Sequence, residues 1–366
     1  MATVPESYTQ SRSRFQARLD TVTARWPEAI LRSIPLAYDP NLTTDVISAD
    51  PLVSKDRLIV ITTGEHGIEG FLGSAVMELF FEEYLTRLDP QTTGLLLIHA
   101  INPWGMHNWE RQNARNVDLN RNFIDGDFEP LKKTNPDYPA LSPYFAPEKP
   151  LNDVSAACRD FFFATIKNFA AFGPKRIREA ALMGQYYAPK GIYHGGMELQ
   201  PETKTMMEVY REGFAGYADI VHLDMHTGYG PRDQMTLVTS PHEKRPAAVL
   251  SEKFGAPRVA AANPDEFYTM QGDMIDWEYK LVEREFPGIK FFAATCEFGT
   301  YGDSILQAAH SLRTTIVKNQ LNQHGGTSQA KEWVEKEFRE LYLPSDPAWL
   351  VKALADARMS FDAVMK

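Results

Sequence analysis

An α/β architecture, a mixed and largely buried β-sheet flanked by helices, is the fold class this 366-residue sequence predicts. Two observations carry the prediction. Four runs are continuously apolar and partly β-branched, as in strands covered on both faces. Between them, apolar residues repeat at helical spacing, and strands interleaved with helices imply a layered α/β domain. The composition, 43% hydrophobic and 11% aromatic, can fill the large core such a domain needs.

The strands are expected at 58–63, 95–101, 220–225 and 290–295. After the first, Phe71, Leu72, Ala75, Val76, Leu79 and Phe80 recur at helical spacing and predict a helix over 70–85. Further helices are expected at 153–171, 202–217, 272–286, 303–323, 328–341 and 347–365. Pro130, Pro136, Pro139, Pro143, Pro147 and Pro150 break any regular pattern over 130–150. That stretch reads as an irregular surface excursion pinned by Tyr138, Tyr144 and Phe145. The organisation expected is a single catalytic domain over 1–366, with a large insertion at about 125–215.

A net charge of −10 argues against nucleic acid or an anionic membrane as partner. Two cysteines, Cys158 and Cys296, are too few for a disulfide framework. Residues 1–20 carry no apolar stretch of signal-peptide length, and no run approaches the roughly 18 apolar residues of a membrane span. The expectation is a soluble, cytoplasmic protein, with a homo-oligomer left open.

His66 and Glu69 stand three residues apart, just past the first strand. Imidazole nitrogen and carboxylate oxygen are ligand types of hydrolytic zinc sites, which take a third protein ligand and keep one position open. The pair also reads as a polar loop before a helix. His226, just past the third strand in Asp224-Met225-His226-Thr227-Gly228, is the natural third ligand, because open α/β sheets bind ligands at their strands' carboxyl ends. His222 lies deeper and reads as core, and His99 as a packed strand residue. His107, His194 and His242 lie in expected loops without a partner at ligand spacing. After the fourth strand, Glu297 can serve as general base; its other reading is a cap for the helix near Asp303. Cys296 ends an apolar run and reads as a buried structural thiol rather than a nucleophile.

These residues, with two further blocks, give the chain a likeness. It resembles the zinc carboxypeptidases of the A/B type, in which His66-x-x-Glu69 and His226 match the zinc ligands. The segment Arg111-Gln112-Asn113-Ala114-Arg115-Asn116-Val117-Asp118-Leu119-Asn120-Arg121-Asn122-Phe123 is similar to that family's R-x-N-x-x-x-V-D-L-N-R-N-F. The resemblance implies that Asn120 and Arg121 grip a substrate's terminal carboxylate, that Arg111 stabilises the oxyanion and that Asp118 orients the ring of His66. Outside the resemblance, Arg111 reads as a partner for Glu110 or another surface carboxylate. The block Tyr268-x-x-x-Gly272-x-x-Ile275-Asp276-Trp277-x-Tyr279 looks like the family's stretch from a substrate-capping tyrosine to its specificity pocket. By that match Tyr268 bonds bound substrate, although it also reads as a surface aromatic. Ile275 would favour an apolar or neutral terminal residue. The matching blocks run from about 58 to 305.

The resemblance implies a zinc-carboxypeptidase-like (phosphorylase/hydrolase-like) fold and one zinc ion. It implies a metallocarboxypeptidase that hydrolyses the amide bond next to a free C-terminal carboxylate, with Glu297 assisting attack by zinc-bound water. The Asp-x-His-Thr form around His226 is also similar to the aspartoacylase and succinylglutamate desuccinylase branch, which implies an amidohydrolase of small N-acyl amino acids. A non-catalytic binder retaining the cleft is the reading from another class. The substrate is then a small peptide or an acylated amino acid. Residues 184–196 form either a rim over the cleft or a structural loop.

Overall fold

The computed structural model describes residues 3–256, 258–261 and 270–365. An eight-stranded mixed sheet runs in the order β1-β2-β4-β3-β5-β8-β6-β7. Its centre is four parallel strands: β3 (Arg57–Thr63), β4 (Thr93–His99), β5 (Asp219–Thr227) and β8 (Lys290–Phe298). These contain the four apolar runs, and successive residues serve opposite faces. Ile59, Ile61, Val221 and Leu223 pack on one side, and Leu58, Val60 and Ile220 on the other.

Four strands escape the sequence pattern: β1 (Ile30–Leu36), β2 (Asp39–Ala49), β6 (Met235–Thr239) and β7 (Arg258–Ala261). β1 and β2 form an antiparallel pair at one edge; β1 is half-exposed, and in the mostly buried β2 the polar Thr43, Thr44 and Asp45 interrupt the apolar run. β6 and β7 are only five and four residues long.

Helices α1 (Tyr8–Ala17), α2 (Leu19–Thr23) and α3 (Gly70–Glu83) cover the first face. Beyond β4 comes the short α4 (Pro103–Asn108), and then α5 (Tyr138–Phe145), α6 (Val154–Phe172) and α7 (Pro174–Leu182). α5 corrects the expectation of an irregular excursion. Pro139 sits in its first turn, where no N–H is needed, and buried Tyr138, Leu141 and Phe145 hold the helix despite Pro143 inside it. Tyr138, Leu141, Tyr144 and Phe145 join α7 residues and Ile316 in a satellite core.

α8 (Pro201–Phe214) lies instead on the second face of the sheet with α10 (Met274–Glu285), while α9 (Ala247–Phe254) joins the first. The chain ends in α11 (Ile305–His324), α12 (Ser328–Tyr342) and α13 (Pro347–Val364), each capped by a hydroxyl or carboxylate: Ser304, Thr327 and Asp346. No described helix is long and apolar enough to cross a membrane.

His99 on β4 is a packed residue. Its ring stacks on Phe15 with centroids 5.4 Å apart, and its Nε2 lies 2.7 Å from Ser11 Oγ. Burial pushes its pKa down to about 4; nearby Asp45 opposes the shift, and Arg12 and Arg14 reinforce it. A pKa lowered by folding means that the stability of the neutral ring is fully present above the unfolded value. It is lost as pH falls through the window down to about 4. The native protein should therefore lose roughly 2 kcal/mol between pH 7 and pH 5 from this residue. Urea unfolding at the two pH values checks this, and the difference should shrink in His99→Gln.

Candidate metal centre

The sheet's topology places the centre. The chain leaves β3 for β4 on one side, while β5 lies on the other, so the carboxyl ends of β3 and β5 flank a switch point where a crevice opens. Past β3, Gly64 turns the chain and a short 3-10 turn, Gly67–Glu69, brings Glu69 back beside His66. Only glycine fits at 67, since a Cβ there would lie 2.1 Å from the backbone of Gly105 and Met106. The same turn is docked by hydrogen bonds from the Gly67 and Ile68 N–H groups to the carbonyls of Arg111 and Glu110.

Inside this turn two rings and one carboxylate converge. His66 Nδ1 and His226 Nδ1 are 3.2 Å apart. Glu69 Oε1 is 2.9 Å from the first and its Oε2 is 3.1 Å from the second. None of the three residues is more than 4% exposed. These spacings fit ligands around one ion, because bonds of about 2.0–2.1 Å in a tetrahedron set ligand atoms about 3.3 Å apart. The outer nitrogens are held as well: His66 Nε2 is 3.0 Å from Asp118 Oδ1, and His226 Nε2 is 2.5 Å from Asp224 Oδ2. The Thr227 N–H donates to Glu69 Oε2 at 2.8 Å.

Glu65 offers a second grouping, since it and the two histidines bring one ligand atom each within 4.8 Å of one another. Glu65, however, meets His226 at Nε2, 3.3 Å away, the nitrogen that Asp224 already holds. The Glu69 set is the tighter and faces both free Nδ1 atoms.

The electrostatics favour a cation. Burial works against protonation of both rings, and Arg111 opposes it at His66. Glu69 and Asp118 nevertheless raise the pKa of His66, and Asp224 and Glu69 raise that of His226. Burial likewise opposes the charge on Glu69, but the two imidazoles hold it well below the usual carboxylate range. A donor set that draws protons onto buried imidazoles also draws a divalent ion.

A cavity of about 440 Å³ opens beside this set and is lined by His66, Glu69, Arg111, Asn120, Arg121 and Glu297 among others. Glu297, opposite His226 in the β5–β8 register, has a buried Oε2 without a hydrogen-bond partner among the described residues. Burial pushes its carboxyl up to about 7; His226 pulls it down and Glu69 pushes it further up. The cap of α11 is Ser304, not Glu297. Arg111 pairs with Asp118 rather than Glu110, which binds Lys318 at 2.6 Å. Its guanidinium also lies 4.8 Å over the ring of Tyr193. Arg121 donates to the carbonyls of Asn120 and Leu182, at 2.7 and 2.6 Å. Among the described residues it forms no ion pair with a carboxylate, and its Nε has no partner.

Ile275 needs correcting. It is 3% exposed in the core with Leu119 and Phe123 and is not on the cavity wall. The first turn of α10 directs it to the sheet, and Asp273, the cap of that helix, lines the cavity instead. Tyr268 lies outside the described residues. Cys296 is fully buried, with its thiol pushed up to about 12 by burial.

Several cavity residues were invisible to sequence reasoning. Tyr342, at the end of α12, is clamped there: the Thr227 hydroxyl donates to its carbonyl and the Thr300 hydroxyl to that of Leu341, both at 2.7 Å. Beside its ring Gly228 adopts φ 110°, a conformation that favours glycine, and a Cβ there would lie 3.0 Å from the ring. Tyr144, Phe169, Ile177 and Leu182 form an apolar wall from α5, α6 and α7, and Tyr193, from the 184–196 segment, also lines the cavity. No local sequence signal marks these, apart from Tyr193, which falls in the segment 184–196 that reads as a rim or a structural loop. One did exist for Asp224, since alternate residues of a strand share a face and Asp224 stands two before His226.

The chain matches the family described as Protein of unknown function (DUF2817) over residues 5–356, and it belongs to that family. No curated protein matches the chain. Solved structures similar to it include bovine thrombin-activatable fibrinolysis inhibitor in complex with tick carboxypeptidase inhibitor. That match has 14% identity, covers 86% of this chain and 98% of the other, and has a TM-score of 0.45. Carboxypeptidase A from Helicoverpa armigera is similar at 12% identity over 92% of this chain and 73% of its own, with a TM-score of 0.47. Murein-tripeptide amidase MpaA from Escherichia coli O157 is similar at 17% identity over 80% and 92%, with a TM-score of 0.37.

Proposed function

We propose that the protein is a zinc-dependent hydrolase of the metallocarboxypeptidase kind, cleaving an amide bond next to a free carboxylate. The observation that carries this reading is the convergence of His66 Nδ1, His226 Nδ1 and Glu69 within about 3 Å, beside a cavity lined by Glu297, Arg111 and Arg121. His66, Glu69 and His226 would hold the ion. A zinc ion held there supplies Lewis acidity, activating water and polarising a carbonyl.

The chain's own groups do the rest. Glu297, whose carboxyl burial pushes up, takes the proton of the attacking water and returns it to the leaving amine. Arg111, anchored through Nη1 to Asp118, turns its remaining N–H groups to the developing oxyanion. Arg121 and Asn120 bind the carboxylate that makes cleavage terminal, a planar fork meeting a planar anion.

A second reading, an amidohydrolase of small N-acyl amino acids, is favoured by the wall that α5, α6 and α7 add to the cavity. It uses the same residues on a smaller acyl group. The test is elemental analysis of the purified protein together with hydrolysis of peptides varied at their C-terminal residue and of N-acyl amino acids. One zinc per chain with chelator-sensitive hydrolysis is expected, and the substrates cleaved separate the two readings. No zinc and no chelator-sensitive hydrolysis would overturn both and leave a binding protein.

A further inference from the structure

Behind the metal centre lies a chain of buried polar groups that the chemistry above does not use. It starts at His226, whose Nε2 is 2.5 Å from Asp224 Oδ2. Asp224 Oδ1 accepts the hydroxyl of Thr62 at 2.6 Å. The same hydroxyl oxygen is 2.7 Å from His222 Nε2, and His222 Nδ1 is 2.7 Å from Glu278 Oε2. Thr62 stands on β3, His222 and Asp224 on β5, and Glu278 on α10. None of the four is more than 1% exposed. Glu65, 3.3 Å from the same nitrogen of His226, is the other carboxylate facing the start of the chain.

The direction of these bonds follows from counting protons. A threonine hydroxyl has one proton to give. Thr62 gives it to Asp224, so its oxygen must accept from His222, and His222 carries a proton on Nε2. That holds whether the His222–Glu278 pair is an imidazolium with a carboxylate or a neutral ring with a carboxylic acid. From His222 onward the bonds then run one way, through Thr62 on β3 to Asp224. Asp224, oriented by Thr62, accepts from the Nε2–H of His226 and leaves the Nδ1 lone pair bare, towards His66 and Glu69. His66 receives the matching service from Asp118, but there the supporting group is the Arg111 cation.

We propose that Thr62, His222 and Glu278 are a positioning relay that sets the tautomer of His226 and so tunes the centre's affinity for a divalent cation. The relay rests on the reading of His66, Glu69 and His226 as the ligand set. Outer partners of metal-bound histidines act in this way, by fixing the tautomer and ring orientation.

The test is Zn²⁺ affinity of the full-length protein, measured by competition with a chromogenic chelator, beside thermal melting of the metal-free protein. Thr62→Val removes the hydroxyl at constant shape and should weaken Zn²⁺ binding about 10- to 100-fold, whereas Thr62→Ser, which keeps the hydroxyl, should stay within about threefold of native. Native affinity in Thr62→Val, or an equal loss in Thr62→Ser, overturns the relay while leaving the ligand set standing. Should Thr62→Val not fold, Glu278→Gln carries the same test: weakening of at least about threefold without a change in metal-free melting supports the relay, and native affinity overturns it. Failure of the native protein to bind one Zn²⁺ overturns the ligand set itself, and the relay with it.

Discussion

Glu297→Gln should keep its metal and lose hydrolysis by about 10²- to 10⁴-fold, the range a positioned general base supplies. The substitution preserves shape and removes only the ability to take a proton. Glu297 stands at the end of β8, in register with His226 but directed to the cavity, so it contributes no atom to the converging His–Glu–His set. Metal content should therefore equal that of the native protein. Burial pushes its carboxyl up, the direction that favours accepting a proton. Measured kcat with a bound-zinc assay checks both halves. Near-native turnover would remove Glu297 from the base role, and loss of zinc would recast it as a ligand.

The second large effect is expected at Arg121. Arg121→Met keeps an unbranched apolar stem and removes the guanidinium with its charge. It should lower kcat/KM by roughly 10²- to 10³-fold for substrates with a free carboxylate, as when one partner of a buried charge pair is truncated. Native protein should strongly prefer a free carboxylate to its amide, and the variant should lose that preference. That ratio separates a lost substrate contact from general damage, which matters because Arg121 also ties the carbonyls of Asn120 and Leu182. A preference that survives in Arg121→Met would move carboxylate recognition to another residue.

Much of the fold was legible because it is written locally. The central parallel strands are buried on both faces and read as continuous apolar runs, and α3 with its wholly apolar stripe reads as plainly. Edge strand β1 was missed because it is half-exposed, and the mostly buried β2 because Thr43, Thr44 and Asp45 interrupt its apolar run. α5 was missed because Pro139 and Pro143 signal a break, and only the burial of Tyr138 and Phe145 against α7 outweighs that signal.

The site divides the same way. His66 and Glu69 were legible from their spacing, and His226 and Glu297 from their places at strand ends. Asp273 was passed over for Ile275 two positions on, because the rotation of α10 against the sheet decides which of its first residues meets the cavity. His222 was read as core, and it is wholly buried; its polar partner Glu278 lies 56 positions away and left no local trace.

By itself the sequence determined an α/β domain with His66, Glu69, His226 and Glu297 at strand ends and a nearby Asn120-Arg121 pair. Apolar runs, helical periodicity and short ligand spacing are properties of neighbouring residues. Tertiary structure alone decided that both rings turn Nδ1 inward, that Tyr342 and the α5–α7 wall close the cavity, and that Thr62 joins His222 to Asp224. Those outcomes depend on contacts such as the Thr62–His222 hydrogen bond and the approach of His226 to His66, each spanning 160 positions. No local pattern encodes a hydrogen bond whose two ends meet only when the strands pair.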